Sequence, residues 1–244
     1  MSRFERYGIY FIPQDTDPLL RLADAWLGRD TLTGVPKGRP DIPGLSSAGI
    51  AALTKQASTY GFHGTLKAPF RLASGATERR LFRAVATLAE DLKPAPPMKM
   101  RLDELSGFLA IRPLRDDTAV RAIGNACVTR LDDLRAPMSG MERRTRLKAG
   151  LSDQQIQFLL RWGYPYVLSQ FRFHLTLTGA LRTGEADQAD QAYHALKNYF
   201  AAALAAPLIV DHISICGDPG DGRPFEFLQR FPLRQAVATR RLAG

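Results

Sequence analysis

Two short strings in this 244-residue chain have the residue types and spacing for acid–base chemistry: His63-Gly64-Thr65-Leu66 and His174-Leu175-Thr176-Leu177. Side chains along a strand alternate between its faces. If each string is extended, His63, Thr65 and Lys67 share one face, and Arg172, His174, Thr176 and Thr178 share another. The opposite faces carry Phe62, Gly64, Leu66 and Ala68 in the first case, and Phe171, Phe173, Leu175 and Leu177 in the second. Burying imidazole, hydroxyl and cation together is costly unless a polar ligand or water is held there. Two such faces turned toward each other would frame a cleft for phosphodiester chemistry. An imidazole titrates near neutrality, so a neutral one can take a proton while its protonated counterpart gives one to the leaving oxygen. Thr65 and Thr176 would hold non-bridging oxygens, and Lys67 and Arg172 would offset developing negative charge. The scheme asks for no metal and no organic cofactor.

The elements needed to position these strings recur in the same order. Tyr7 to Ile12 is a β-rich run stopped by Pro13, after which Asp17-Pro18 opens a helix from Leu19 to Leu27 with Trp26 on its apolar face. Gly107 to Arg112 is a second run stopped by Pro113, and Asp116-Asp117-Thr118 opens a helix with apolar residues at Val120, Ile123, Ala126, Cys127, Leu131 and Leu134. The first His-x-Thr strand is followed by a helix from about Thr77 to Leu92 and by strand runs near Lys99–Leu105 and Phe108–Arg112. The second is followed by a helix from about Glu185 to Leu204. Runs at Leu208–Cys216 and Pro224–Phe231 then flank a Gly- and Asp-rich turn. Residues 33–49, with four Gly and three Pro, read as a loop.

This repeat, offset by about 100 residues, is too long for a solenoid, whose periods run about 20–50. It predicts a single bilobal α+β domain over residues 1–244, its interleaved lobes carrying the His63 and His174 motifs. Largely antiparallel sheets would line a central cleft around a pseudo-two-fold axis, with helices outside.

The paired strings resemble the two His-x-Thr-x motifs of the 2H phosphoesterase superfamily, which shares the ligase-T/cyclic-phosphodiesterase fold. Longer strings are similar to a narrower branch, a domain of unknown function whose members often accompany phosphonate-degradation genes. They are Tyr60 to Phe70, Trp162-Gly163-Tyr164-Pro165-Tyr166, Phe171 to Gly179, Arg6 to Phe11 and Trp26 to Asp30. The likeness runs over roughly residues 6–233. It implies cleavage of cyclic phosphates or 2′–5′ phosphodiesters by His63 and His174, and its branch points to a ribose 1,2-cyclic phosphate as substrate. An RNA-end 2′,3′-cyclic phosphodiesterase or 2′–5′ RNA ligase-like enzyme is the alternative. Gly64 stands where a larger residue is also common; it lies on the face turned away from the cleft, where the change should not disturb the chemistry.

Composition adds bounds. With 33 Lys+Arg against 24 Asp+Glu the net charge is +9, which suits a small anionic phosphate ester or RNA without choosing between them. No stretch has the roughly 20 apolar residues a membrane span needs, and no signal-peptide pattern opens the chain. Two cysteines, Cys127 and Cys216, form no disulfide framework, as expected of a cytoplasmic protein. The absence of Gly-x-x-x-x-Gly-Lys, Gly-x-Ser-x-Gly and His-Glu-x-x-His weakens P-loop, α/β-hydrolase and zinc-protease readings.

His194 and His212 read as packing or surface residues. The basic run Arg143-Arg144-Thr145-Arg146-Leu147-Lys148, placed between two helical segments, is balanced between a solvated face and a phosphate-gripping loop. Tyr7, Tyr60, Tyr164 and Tyr166 flank the strands. Rings there are more often core, but Tyr7 and Tyr166, with Thr178, are the candidates for holding the substrate. The Arg240-Arg241 tail reads as frayed.

Overall fold

Residues 3–115, 117–148, 150–181 and 186–234 are described by the structure, a computed structural model. Asp116, Glu185 and Arg240-Arg241 lie outside the described residues. The elements are β1 (Arg6–Phe11), α1 (Pro18–Leu27), α2 (Ser47–Tyr60), β2 (Gly64–Phe70), α3 (Glu78–Asp91), β3 (Met100–Leu105), β4 (Phe108–Pro113), α4 (Thr118–Arg130), α5 (Gly140–Leu147), α6 (Asp153–Trp162), β5 (Leu175–Thr176), α7 (Ala186–Leu204), β6 (His212–Asp218) and β7 (Glu226–Pro232). Asp17 caps α1 by accepting the Leu19 N–H, with Pro18 in the first turn. Among the described residues, no helix is long and apolar enough to cross a membrane.

The strands form one antiparallel sheet in the order β3-β4-β5-β2-β1-β6-β7, rather than separate sheets. Exchange about the β5–β2 junction maps β4 onto β1 and β3 onto β6, leaving β7 as an addition at one edge. This is the duplication expected from the repeat. The first half takes its outer strand from the far end of the chain, since β6 pairs with β1, whereas β3 pairs with its sequence neighbour β4. A core of Ile9, Phe11, Trp26, Phe62, Leu66, Leu109, Ile111, Phe173, Leu175 and their neighbours covers one side of the strands. Trp26 is fully buried and its indole N–H donates to the Leu177 carbonyl at 2.8 Å, tying α1 to the strand that carries His174.

Helix α2 falls partly within the span read as a loop. Ser46 caps it by accepting the Gly49 N–H, and Ile50, Thr54 and Ala57 are its buried stripe, but small residues dilute the apolar signal. The basic run lies on α5 rather than between helices. The expected strand over 171–178 shrinks to the two residues of β5, because its flanking backbone bonds elsewhere. Phe173 N–H donates to Asp117 at 3.4 Å, and Leu177 and Thr178 N–H both donate to the Leu109 carbonyl.

A register irregularity moves one candidate residue out of the cleft. Tyr10 faces Thr65, yet Ile9 faces Lys67, so Leu66 is an extra residue in β2. A bulge of this kind turns the following side chain to the other face of the sheet. Lys67 therefore points into the protein, only 3% exposed, its Nζ donating to the Val128 carbonyl at 2.9 Å and to Asp132 at 3.3 Å. Burial pulls its pKa down to about 8 against the upward pull of Asp132. Asp132 also takes Arg135 and Arg161. Lys67 thus locks β2 to the turn after α4 instead of facing a substrate. Asp132→Ala leaves this buried ammonium unpaired and is expected to cost about 3–5 kcal/mol. Chemical denaturation checks this; a loss under ~1 kcal/mol would mean that water or the Val128 carbonyl suffices for Lys67.

Candidate functional site

The β2–β5 ladder pairs Gly64 with Leu175. One step either way along that antiparallel register sets His63 opposite Thr176 and Thr65 opposite His174. Directly opposed strand residues have Cβ atoms about 4.5–5.5 Å apart, so both motifs present their polar groups to one place. All four line a single cleft of about 470 Å³. Gly64 lies on the opposite face, and its missing side chain leaves room for Phe173. A Cβ there would come within 2.5 Å of that ring, so glycine lets the two motif strands close up.

The imidazoles are held alike. His63 Nδ1 is 2.9 Å from the Gly61 carbonyl, and His174 Nδ1 is 2.7 Å from the Arg172 carbonyl, in each case the residue two before. A carbonyl only accepts, so each Nδ1 carries hydrogen and Nε2 keeps its lone pair in the neutral ring. His63 Nε2 lies 3.2 Å from Thr65 Oγ1, which donates to it in that state. Burial depresses the His63 pKa to about 4, the Gly61 carbonyl opposing and the charge of His174 adding to the depression. His174 is also depressed by burial, opposed by the Arg172 carbonyl and reinforced by Arg112. Burial therefore favours two neutral rings, and an anion beside them would favour their protonation.

Tyr10 sets the wall behind His63, with ring centroids 4.0 Å apart and planes at 33°. It reaches this position by folding back over Gly8 on its own strand, where a Cβ would lie 2.5–2.8 Å from the phenol ring. Tyr60 flanks His63 at 6.0 Å, and Phe108 flanks His174 at 5.6 Å. Neither Tyr10 nor Gly8 carries a sequence signal beyond its place on a strand.

The cations of the cleft are Arg6 and Arg146 rather than Lys67 and Arg172. Arg6 is shared with Asp218, whose carboxylate it meets through Nε at 2.8 Å. Arg146 projects from α5, donates to the Gly163 carbonyl at 3.3 Å and lies 6.0 Å from the Tyr164 ring. Of the basic run, Arg146 is the member that lines the cleft. Helix α5 buries no side chain of its own; the Arg71–Glu142 pair, 2.7 Å at both contacts, anchors it. Among the described residues, no carboxylate lines the cleft, which suits an anion.

Other candidates sit elsewhere. Tyr7 lies on the face of β1 opposite Tyr10, fully buried, and its hydroxyl donates to Glu78 at 2.9 Å, so it does not reach the cleft. Tyr166 is 47% exposed and outside the lining; Tyr164, packed edge-on against it, takes that place. Arg172 lines an adjacent cavity instead. Thr178 does line the cleft, but its hydroxyl accepts the Leu109 N–H and donates to the Gly179 carbonyl. His212 is buried between Asp211 and the Ile12 carbonyl, and His194 is exposed on α7. Gly8→Ala is expected to displace the Tyr10 ring at about 1–3 kcal/mol of overpacking. Shifted His63 ring resonances would report it in solution NMR, whereas unchanged ones would show that Tyr10 does not set that ring.

The chain is 38% identical over 228 residues to a ribose 1,5-bisphosphate phosphokinase PhnN of Janthinobacterium sp. (strain Marseille), covering 93% of this chain and 50% of the relative. The protein of the same name from Laribacter hongkongensis (strain HLHK9) is 34% identical, with 96% and 53% covered. The chain thus spans about half the length of the curated relatives it matches. Among solved structures, E. coli LigT complexed with ATP aligns with a TM-score of 0.42 at 11% identity, covering 96% of this chain and all of the other. Kluyveromyces marxianus Usb1 with uridine monophosphate aligns at 0.39 and 13%, covering 94% and 99%. The model of a protein family described as a protein of unknown function (DUF1045) matches residues 65–226, from Thr65 of the first motif past the whole of the second. The chain belongs to this DUF1045 family.

Proposed function

We propose that this protein is a phosphodiesterase that hydrolyses a small cyclic phosphate ester by paired-histidine acid–base catalysis. One observation carries the reading: His63 and His174 open into the same cleft, lined by no carboxylate among the described residues, each with Nδ1 bonded to the carbonyl two residues back and each faced by a threonine of the other motif. His63, the more strongly depressed, stays neutral and serves as the base that takes a proton from water. The water oxygen attacks phosphorus, and the bond to one ring oxygen breaks. His174, protonated when the anionic substrate is bound, gives that oxygen its proton. Thr65 and Thr176 hydrogen-bond the non-bridging oxygens, and Arg146 and Arg6 balance the charge that builds up there. The product is a phosphate monoester, and the two histidines have exchanged protonation states.

The substrate we favour is a ribose 1,2-cyclic phosphate. Breaking its bond to O2 leaves the phosphate on O1. With a phosphate already on O5 the product would be ribose 1,5-bisphosphate, the compound in the name of the two curated relatives. This chain has no Gly-x-x-x-x-Gly-Lys loop and covers half of them, so the reading gives it the step that supplies their substrate rather than the kinase step. The net charge of +9 is equally compatible with the alternative of an RNA-end cyclic phosphate, which would show turnover falling steeply with salt.

His63→Ala and His174→Ala are each expected to lower turnover of a ribose cyclic phosphate by about 10²–10⁴ while the protein stays folded. Undiminished turnover in either would refute the assignment. In the free enzyme His63 must be neutral, which requires a pH above about 4, and His174 protonated, which requires a pH below its depressed value, under the usual 6.5. The profile of kcat/KM is therefore expected to rise through pH 4 and fall before pH 6.5. Continued rise above neutrality would contradict these roles.

A further inference from the structure

Beside the histidine cleft lies a second cavity of about 380 Å³, into which four arginines converge. Arg112 comes from β4, Arg115 from the segment just after it, Arg121 from α4 and Arg172 from the approach to β5; Ser169 and Asp117 complete its polar lining. The β4–β5 register pairs Ala110 with Thr176 and Ile111 with Leu175, which sets Arg112 opposite His174. Arg172 is the residue whose carbonyl holds the His174 ring. The cavity therefore adjoins the catalytic strand, yet none of the four arginines belongs to the lining of the histidine cleft.

Among the described residues, Asp117 is the one carboxylate lining this cavity against four arginines, of which Arg115 and Arg172 are exposed. Arg121 pairs with Asp117 at 2.6 Å, but its buried Nε has no hydrogen-bond partner. Arg112 reaches Asp103 only at 3.4 Å. Neither Arg115 nor Arg172 has a side-chain hydrogen bond or ion pair among the described residues. Some arginines elsewhere are matched closely by carboxylates, as in Arg71–Glu142, Arg135–Asp132 and Arg130–Asp91. Guanidinium groups brought together with so little counter-charge repel unless an anion joins them. Their planar forks match the oxygens of a phosphate group.

We infer that this cavity is a second oxyanion-binding site, taking a phosphate group distinct from the one placed between the histidines. That group is either a terminal phosphomonoester of the substrate itself or free inorganic phosphate. Both present the same oxygens to the same arginines.

Inorganic phosphate is the probe, titrated calorimetrically into the full chain and into an Arg115→Ala/Arg172→Ala variant whose thermal melt matches that of the native protein. Native protein is expected to bind two phosphates, and the variant to lose one or to bind it at least about tenfold more weakly. An isotherm unchanged by the substitutions, or native protein that takes up no more than one phosphate with the variant equal to it, overturns the inference. This readout needs no turnover, so it stands apart from failure of the proposed activity. A kinetic arm, which does rest on that activity, separates the sources. A rise in KM confined to cyclic phosphates bearing a terminal phosphate identifies the substrate's own group. Unchanged KM for substrates with and without it, with phosphate binding lost, identifies free phosphate.

Discussion

The site depends on one short stretch of backbone pairing, the antiparallel register in which Gly64 faces Leu175. The two halves of the sheet meet at that junction, and there the polar faces of both motifs are placed opposite each other. A slip of one residue would send His63 and Thr65 to the apolar side. The register is held because the reverse faces are committed to the core: Leu66, Phe173, Leu175 and Leu177 are buried, and Phe173 packs onto the bare backbone of Gly64. Hydrophobic burial on one side of the sheet thereby fixes the placement of the two imidazoles on the other.

Duplication explains why the two imidazoles share an anchoring scheme, and departures from symmetry explain why they differ. His63 is enclosed by Tyr10 and flanked by Tyr60, and burial lowers its pKa to about 4. His174 has Phe108 beside it and Arg112 opposite on β4. Two like groups in unlike surroundings can divide the acid and base roles. Around them the cleft offers hydroxyls and guanidinium groups and, among the described residues, no carboxylate. Such a lining is suited to an oxyanion and hostile to a cation.

Much of this was legible in the chain itself. Alternation put His63 with Thr65 and His174 with Thr176, and the recurrence of elements around them signalled the duplicated sheet. Proline and glycine marked the ends of β1 and α1 because they act locally. The misplaced residues depended on non-local facts. Lys67 keeps perfect alternation in sequence, and only the pairing of Ile9 with it exposes the extra residue at Leu66. Tyr7 and Tyr10 are three apart on one strand and land on opposite faces, so being aromatic near a motif did not decide which one meets His63. Arg146 comes from a helix about 80 residues away from His63, held by Arg71 and Glu142, and nothing in its immediate neighbours singles it out from Arg143 or Arg144.

The shared phosphate is the central claim, and the most direct measurement is a histidine-selective nitrogen-15 NMR titration of the intact protein with inorganic phosphate. The expected result is that both His63 and His174 begin as neutral rings with hydrogen on Nδ1, and that the Nε2 resonances of both move toward the protonated form along one binding curve. Movement of one ring alone, or of the two at unrelated phosphate concentrations, would contradict a single phosphorus held between them.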